Sequence, residues 1–221
     1  MTPDETGADA ALGQDTRIRL IEVAERLFAE NGIASVSLRT VGVTAGQRNN
    51  SAAQYHFGSK DGLIAAIARH RSAPITERRM ELVEELRAAG EPPGVEALIR
   101  LLVAPLAEST TGPGRQSWYL RFLAGVIDHP MIQDPREYGG QKHPGIGYML
   151  AQLRLRLPGL PQAVFERRTR WMAVIVIRVL ADHERRRSSP AGPTATLDEV
   201  VSDLTVSMAA LLRAPYAPGG D

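Results

Sequence analysis

The side chains best suited to chemistry in this sequence form a polar cluster just after Gly46. The cluster consists of Arg48, Asn49, Asn50, Ser51 and Gln54. All of these residue types can hydrogen-bond to base edges in a DNA major groove or to phosphates. Tyr55 and His56 follow, and Ser59 and Lys60 open a further helical pattern whose first amides favour an anion. The cluster therefore predicts a surface that reads DNA.

Such a cluster needs a helix-turn-helix unit to present it, because one helix enters the groove while another lies across the backbone. Ser37 is expected to cap a short helix from Leu38 to Ala45. Gly46 supplies the turn, and a third helix is predicted to run from Asn49 or Asn50 to about Tyr55. For any single polar residue on this helix, a merely solvated position is the alternative to contact with DNA.

Four stretches carry a resemblance to a known family. They are Phe28-Ala29-Glu30-Asn31-Gly32, Ser37-Leu38-Arg39, Ala45-Gly46 and Tyr55-His56-Phe57-Gly58-Ser59-Lys60-Asp61-Gly62-Leu63. With these stretches the sequence resembles the tetracycline-repressor (TetR/AcrR) family of bacterial regulators from about Thr16 to Ile67. The sequence departs from the family at Gln47, where an apolar residue is usual. The segment between Ala45 and Phe57 is also one residue longer than the commonest pattern.

The resemblance implies a repressor that binds a pseudo-palindromic operator in double-stranded DNA as a dimer and is released by a small-molecule effector. Carried over by position, it implies phosphate contacts for Tyr55, His56 and Lys60, and also for Arg39 and Thr40. The residues expected to read bases are Arg48, Asn49, Asn50, Ser51 and Gln54. In this family the helices that follow form a variable body for effector binding and dimerisation.

The remaining sequence has helical periodicity and no convincing strand pattern, which predicts an all-α fold of about nine helices. Residues 1–14 are expected to be a disordered arm, with Asp15 capping the first helix of a DNA-binding domain over 15–62. A helical effector-binding and dimerisation domain is expected over 63–214, and a disordered tail over 215–221. Pro74 is expected to kink or split the fourth helix.

Two apolar segments near the carboxyl end predict a homodimer. The run from Trp171 to Leu180 is apolar nearly all round, which suits a helix buried on both sides. A second apolar stripe runs from Leu197 to Leu212. The resemblance implies that these two helices form the dimer interface as an intermolecular four-helix bundle. An ordinary monomer core is the alternative.

The candidate effector site draws on aromatic and polar residues of the middle helices, since ligand pockets are apolar with few polar groups. The candidates are Trp118, Arg121, Phe122, Tyr148 and Met149. Core packing is the alternative for each of them. Arg121 is a charged residue on an otherwise apolar helix, so it could pair with an anionic ligand or with a nearby carboxylate.

Composition limits the other classes of function. The chain has 221 residues, a net charge of +1 and no cysteine, which excludes disulfides, thiolate metal sites and cysteine nucleophiles. No apolar run reaches the roughly 20 residues of a membrane span, so a cytoplasmic protein with no membrane partner is expected. No catalytic residue, metal site or cofactor is predicted.

Two alternatives to an effector-responsive regulator stay open at the level of sequence. The first is an all-α enzyme that uses Asp128-His129, His143 or Asp182-His183-Glu184, although their spacing matches no metal-ligand motif. If it were correct, His129→Ala would impair function and Tyr55→Ala would not. The second is a ligand-independent or architectural DNA-binding protein.

Overall fold

The chain is all-helical in a computed structural model, as the periodicity predicts. The structure describes residues 3–47, 49, 51–111, 116–129 and 143–216, and for residues 3–12 it describes the backbone alone. Within these ranges there are nine helices and no strand. The helices are α1 (Pro3–Asn31), α2 (Leu38–Thr44), α3 (Ala52–Phe57), α4 (Lys60–Ala88), α5 (Val95–Glu108), α6 (Tyr119–Val126), α7 (Pro144–Arg156), α8 (Gln162–Arg187) and α9 (Leu197–Arg213).

The chain divides into two compact units, an N-terminal unit of residues 1–72 and a C-terminal unit of residues 73–221. The division falls inside α4, ten residues after the boundary predicted between 62 and 63. The early turns of α4 belong to the N-terminal unit, where Leu63, Ile64 and Ile67 are fully buried. The assignment of residues 63–214 to effector binding and dimerisation stays a prediction.

Helix α1 differs from its prediction because it begins at Pro3, whereas residues 1–14 were expected to be disordered and Asp15 to be the cap. A proline suits the first helical turn, since the amide it lacks would have no partner within the helix. Of the tail predicted over 215–221, residues 217–221 lie outside the described residues.

Helix α4 continues through Pro74, so the split predicted as one of two outcomes does not occur, and the kink stays a prediction. The proline removes one backbone hydrogen bond. Apolar residues on both sides of it, including Ile67 and Val83, are buried. Burial of these residues on both flanks outweighs the missing hydrogen bond.

The C-terminal unit is organised around α5, in which every residue from Leu101 to Ala107 is buried. Helix α5 packs against α7, α8 and α9, and α8 packs against α6 and α9. Arg168 of α8 donates to Leu212 O at 3.2 Å and to Ala214 O at 2.6 Å. This arginine therefore binds the carbonyl groups that the end of α9 leaves without helical partners. Within the described ranges, no helix combines the length and apolarity needed to cross a membrane.

Candidate nucleic-acid interface

The turn between α2 and α3 is built by a serine cap and a glycine. The Ser37 hydroxyl accepts a hydrogen bond from the Thr40 amide at 3.0 Å and so caps α2, as predicted. Gly46 has φ 73°, a left-handed conformation that L side chains rarely adopt. Its amide donates to Val43 O, and the next amide, of Gln47, donates to Gly42 O, both at 3.0 Å. These contacts fix the direction in which the chain leaves α2.

The start of α3 lies later than predicted, at Ala52 and not at Asn49 or Asn50. The Asn49 carboxamide oxygen accepts hydrogen bonds from the Ser51 amide at 3.0 Å and from the Ser51 hydroxyl at 2.6 Å. This local turn satisfies Ser51 outside the helix, which explains the later start. Arg48 and Asn50 lie outside the described residues, and their predicted base contacts remain predictions.

Several predicted DNA-contacting residues are exposed on α2 and α3. Arg39 and Thr40 are exposed on α2, and Gln54 is exposed on α3, where its amide donates to Gly58 O. Tyr55 is 86% exposed, the highest value of any large hydrophobic side chain in the described chain. The half-buried His56 ring meets the Tyr55 ring edge-on, with centroids 5.4 Å apart. The exposed residues therefore present hydrogen-bonding groups outward.

The Lys60 side chain, predicted to contact a phosphate, donates hydrogen bonds to backbone carbonyl groups of the chain itself. Its ammonium group is half-buried and donates to Ile33 O at 2.9 Å and to Ala34 O at 3.4 Å, in the connection between α1 and α2. An ammonium group has three donors. Lys60 thus stabilises the connection that leads into α2, and the phosphate contact implied by the family resemblance stays a prediction.

The junction between α3 and α4 is tightly packed. A Cβ atom on Gly62 would lie 2.1 Å from the Phe57 carbonyl oxygen, so only glycine fits there. The Ser59 hydroxyl accepts from the Gly62 amide at 3.0 Å and caps α4 as predicted. Phe57 itself is half-buried, with the Arg17 guanidinium 5.5 Å from its ring centroid. The carboxyl end of α3 is therefore held by backbone contact.

A buried ion pair in the N-terminal unit was missed by sequence reasoning. Arg71 of α4 donates from both Nε and Nη2 to the Glu25 carboxylate of α1, each at 2.6 Å. The Glu25 side chain is 3% exposed and the Arg71 side chain 33%. The only sequence signal is that Glu25 falls next to Ala24 on the apolar face of α1.

The candidate effector residues occupy different environments in the C-terminal unit. Arg121 lies 4.0 Å from the Trp118 ring centroid, and its Nε lies 3.4 Å from a Glu184 carboxylate oxygen. Phe122 and Met149 are core residues, 1% and 2% exposed. Tyr148 is half-buried beneath the Arg87 guanidinium, 5.0 Å from its ring centroid. Trp118 and Arg121 are thus brought into contact with each other.

The carboxylate expected as one possible partner of Arg121 is Glu184, a buried residue of α8. It accepts hydrogen bonds from the backbone amides of Leu120 at 3.4 Å and Arg121 at 3.0 Å, in the first turn of α6. Arg121 Nε and Nη2 are buried and have no hydrogen-bond partner among the described residues. The carboxylate thus caps α6 and only partly satisfies the guanidinium.

The residues considered for an enzyme lie on different elements of the described chain. Arg186 and Arg185 bind the Asp182 carboxylate, and their hydrogen bonds lower its pKa. His183 is buried, and its desolvation together with the charge of Arg187 lowers its pKa. His143 lies 3.4 Å from the Thr76 hydroxyl. Within the described ranges, no three His, Asp or Glu residues are grouped so as to hold a metal ion.

Comparison with known proteins connects the N-terminal unit to a family of regulators. Residues 20–67 match the model of the tetR family of bacterial regulatory proteins. The chain is 33% identical over 116 residues to the HTH-type transcriptional regulator AcrR of Shigella flexneri, which covers 52% of this chain and 49% of that protein. It is 35% identical over 122 residues to the HTH-type transcriptional repressor AcnR of Corynebacterium efficiens, covering 54% and 61%. The chain thus spans about half to three fifths of these relatives.

A solved structure shares the fold over most of the chain. NalD, the secondary repressor of the MexAB-OprM multidrug efflux pump in Pseudomonas aeruginosa, matches with a TM-score of 0.52 and 17% identity. The match covers 88% of this chain and 94% of that one. At this identity the likeness shows the fold alone. The match of residues 20–67 and the two relatives show that the N-terminal part of the chain is similar to the tetR family of bacterial regulatory proteins.

Proposed function

We propose that this chain is a homodimeric repressor that binds operator DNA through α2 and α3 and is released by a small-molecule effector. The observation that carries the proposal is the exposed polar surface formed by Arg39, Thr40, Gln54 and Tyr55. The Gly46 turn and the contact between Gly62 and Phe57 O hold the ends of α3 in place. A rigid helix with outward polar groups is what reading of base edges requires.

The DNA-binding part can be tested with the full chain and duplex DNA selected from a random library. Tyr55→Ala is expected to weaken binding at least about tenfold, because an exposed phenol at the end of α3 would contact a phosphate. Arg39→Gln is expected to weaken binding on all sequences alike and to reduce the salt slope by about one. Tyr216→Ala, a change at another exposed tyrosine, is the control. Selection of no preferred sequence would contradict operator binding.

The dimerisation part rests on an apolar face of α8 that the described residues leave partly exposed. Trp171, Ile175 and Val179 recur at intervals of four and are 47%, 36% and 39% exposed, while Met172 and Val176 face the core. On α9, Val206 is 62% exposed. The exposed residues lie within the two segments that the sequence analysis assigned to the interface. A second copy of the chain is the occupant expected for this face.

Sedimentation equilibrium of matched charge variants tests the dimer. Ile175→Glu and Val206→Glu are each expected to shift the protein towards monomer, because each places a carboxylate in an apolar interface. Leu155→Glu is the control, since Leu155 is 64% exposed on α7, outside the proposed interface. A wild-type monomer, or equal behaviour of all three variants, would contradict this interface.

The effector-release part is distinguishable from ligand-independent DNA binding. As a mechanism, the effector would shift the two α3 helices away from the spacing of successive major grooves, about 34–36 Å. A compound that raises the melting temperature of the free protein should then dissociate the protein from its DNA. Equal recovery of the DNA complex with and without a saturating stabilising compound would favour the ligand-independent alternative.

A further inference from the structure

Helix α1 of the N-terminal unit carries two arginines, Arg17 and Arg19, that lie beside the helix-turn-helix in different surroundings. The Arg17 guanidinium is 5.5 Å from the Phe57 ring centroid, and the residue is half-buried. Arg19 is exposed, and within the described ranges it has no ring contact and no ion pair, not even with Asp15 or Glu22 one turn away on α1. Arg17 therefore packs against the end of α3, whereas the charge of Arg19 is available to a partner outside the chain.

The Arg19 guanidinium lies beside the turn between α2 and α3. A Cβ atom on Gly46 would lie 3.6 Å from Arg19 Nη2, and no other described residue beyond the chain neighbours of Gly46 would come within 4 Å of it. Gly46 has φ 73°, and its turn sets the direction in which the chain leaves α2. An exposed cation of α1 thus stands next to this turn.

The turn is also where a helix-turn-helix comes close to the DNA backbone. The second helix of such a unit enters the major groove with its N-terminal residues, while the first helix crosses the backbone. The segment that joins them is therefore near the phosphates at the groove edge. Arg39 lies at the start of α2 and Gly46 just after its end, about 10 Å further along the helix axis. A cation beside Gly46 would reach a phosphate that Arg39 does not.

The charges of this surface favour a further cation. No Asp or Glu occurs between Asn31 and Lys60. Of the arginines and lysines in that stretch, Arg39 is exposed, Lys60 donates to two backbone carbonyl groups, and Arg48 lies outside the described residues. Affinity for DNA depends strongly on how many phosphates are neutralised. An arginine that α1 places beside the turn adds positive charge where no carboxylate of α2 or α3 opposes it.

We propose that Arg19 is a further DNA-binding residue, which brings α1 into the interface by contacting a phosphate at the edge of the groove that α3 enters. The proposal rests on the DNA-binding part of the proposed function and adds a residue that the family resemblance did not imply. A guanidinium presents its donors in a planar fork that matches phosphate oxygens. Because phosphates carry no sequence information, Arg19 should contribute to affinity on all sequences and not to the choice of sequence.

The test measures the salt dependence of DNA binding by the full chain, on the duplex selected from the random library and on a duplex of unrelated sequence. Arg19→Gln removes the charge, and Arg19→Lys keeps the charge without the fork. Arg26→Gln is the matched control. Arg26 is also exposed and lies on the same face of α1, two turns or about 10 Å further along the helix.

Arg19→Gln should weaken binding about threefold to tenfold per protomer on both duplexes, and make the slope of log K against log salt less negative by about 0.9 per protomer. Arg19→Lys should keep most of the slope, and Arg26→Gln should leave binding unchanged. The melting temperature without DNA should be the same for all, because both arginines are exposed.

Four results would overturn the proposal. They are an unchanged slope in Arg19→Gln, an equal change in Arg26→Gln, a loss of affinity on the selected duplex alone, and a melting temperature of Arg19→Gln several degrees below that of the wild type. The last result would make Arg19 a structural residue.

Methylphosphonate substitution, which removes the charge of one phosphate at a time, locates the contact on the selected duplex. At one phosphate of each half-site, the substitution should weaken binding by the wild type but not by Arg19→Gln. Equal effects of every substitution on both proteins would contradict the proposal. If the wild type shows no salt-dependent binding, the repressor function fails together with this inference. If the wild type binds its selected duplex and Arg19→Gln binds equally well, only the inference fails, so the two failures are distinguishable.

Discussion

Both units of this protein bury charged side chains, but the units differ in how closely a buried charge is paired with a group of opposite charge. In the N-terminal unit, the Glu25 carboxylate receives two 2.6 Å hydrogen bonds from Arg71. In the C-terminal unit, Arg79 is buried without a carboxylate in the described chain, and Arg121 reaches Glu184 only at 3.4 Å. A carboxylate that receives two short hydrogen bonds fixes the positions of the two helices it joins, whereas a buried cation with weaker contacts lowers stability.

The largest expected effect tests the rigidity of the N-terminal unit. Gly62→Ala should destabilise the protein by about 3 kcal/mol, because its Cβ would meet the Phe57 carbonyl oxygen, a backbone atom that cannot rotate away. Gly125→Ala in α6 is the control, since its Cβ would meet nothing within 4 Å. Chemical denaturation of both variants gives the comparison. Equal stability of the two would show that the junction of α3 and α4 is not tightly fixed.

The second largest loss of stability is expected from a change in the ion pair between Glu25 and Arg71. Glu25→Gln should cost about 2 kcal/mol, because the ionic attraction and one of the two hydrogen bonds between residue 25 and Arg71 would be lost while two-thirds of the Arg71 side chain stays buried. The estimate lies below that for a fully buried pair, since water can solvate the exposed third of Arg71. Denaturant unfolding measures the change. A loss under about 0.5 kcal/mol would mean that the pair does not hold α1 and α4 together.

A smaller loss of stability is expected from a change in the weaker contact between Glu184 and Arg121 in the C-terminal unit. Glu184→Gln should cost about 1 kcal/mol, because the one oxygen of Gln can still accept from one of the two α6 amides, while the weaker amide contact and the contact with Arg121 are lost. Asp182→Asn, a change at a carboxylate that pairs with arginines of its own helix, should cost less. A loss for Glu184→Gln greater than that for Glu25→Gln would reverse the comparison between the units.

The smallest expected effect is a pH dependence from His183. Burial and the charge of Arg187 lower its pKa below the ordinary value of 6.5. As pH falls below about 6.5, the unfolded chain binds a proton at this histidine before the folded chain does. Its contribution to stability is therefore complete above about pH 6.5 and is lost as pH falls through the lowered pKa. Between pH 7.5 and about pH 5, the melting temperature of His183→Gln should fall less steeply with pH than that of the wild type. An equal pH dependence of the two melting temperatures would refute the role given to His183.

Much of the fold was predictable because local rules decided it. The periodicity predicted an all-helical chain, and the bounds of α5, α8 and α9 follow closely from Gly94, Pro161 and the Thr196 cap. The bounds of α1 and α3 were less accurate. At α3 the reason is a side-chain hydrogen bond from Ser51 to Asn49, which competes with helix formation at a position where either conformation is locally allowed.

By itself, the sequence determined the helical class, the Gly46 turn, the polar cluster after it and the resemblance to the tetR family. These depend on residue types at short spacing, where backbone conformation and periodicity dominate. Only the tertiary structure decided that Glu25 pairs with Arg71, 46 residues away, and that Arg79 reaches the Leu101 carbonyl freed by Pro105. Such contacts depend on which helices pack together, and sequence spacing carries no information about that when the partners lie on different helices.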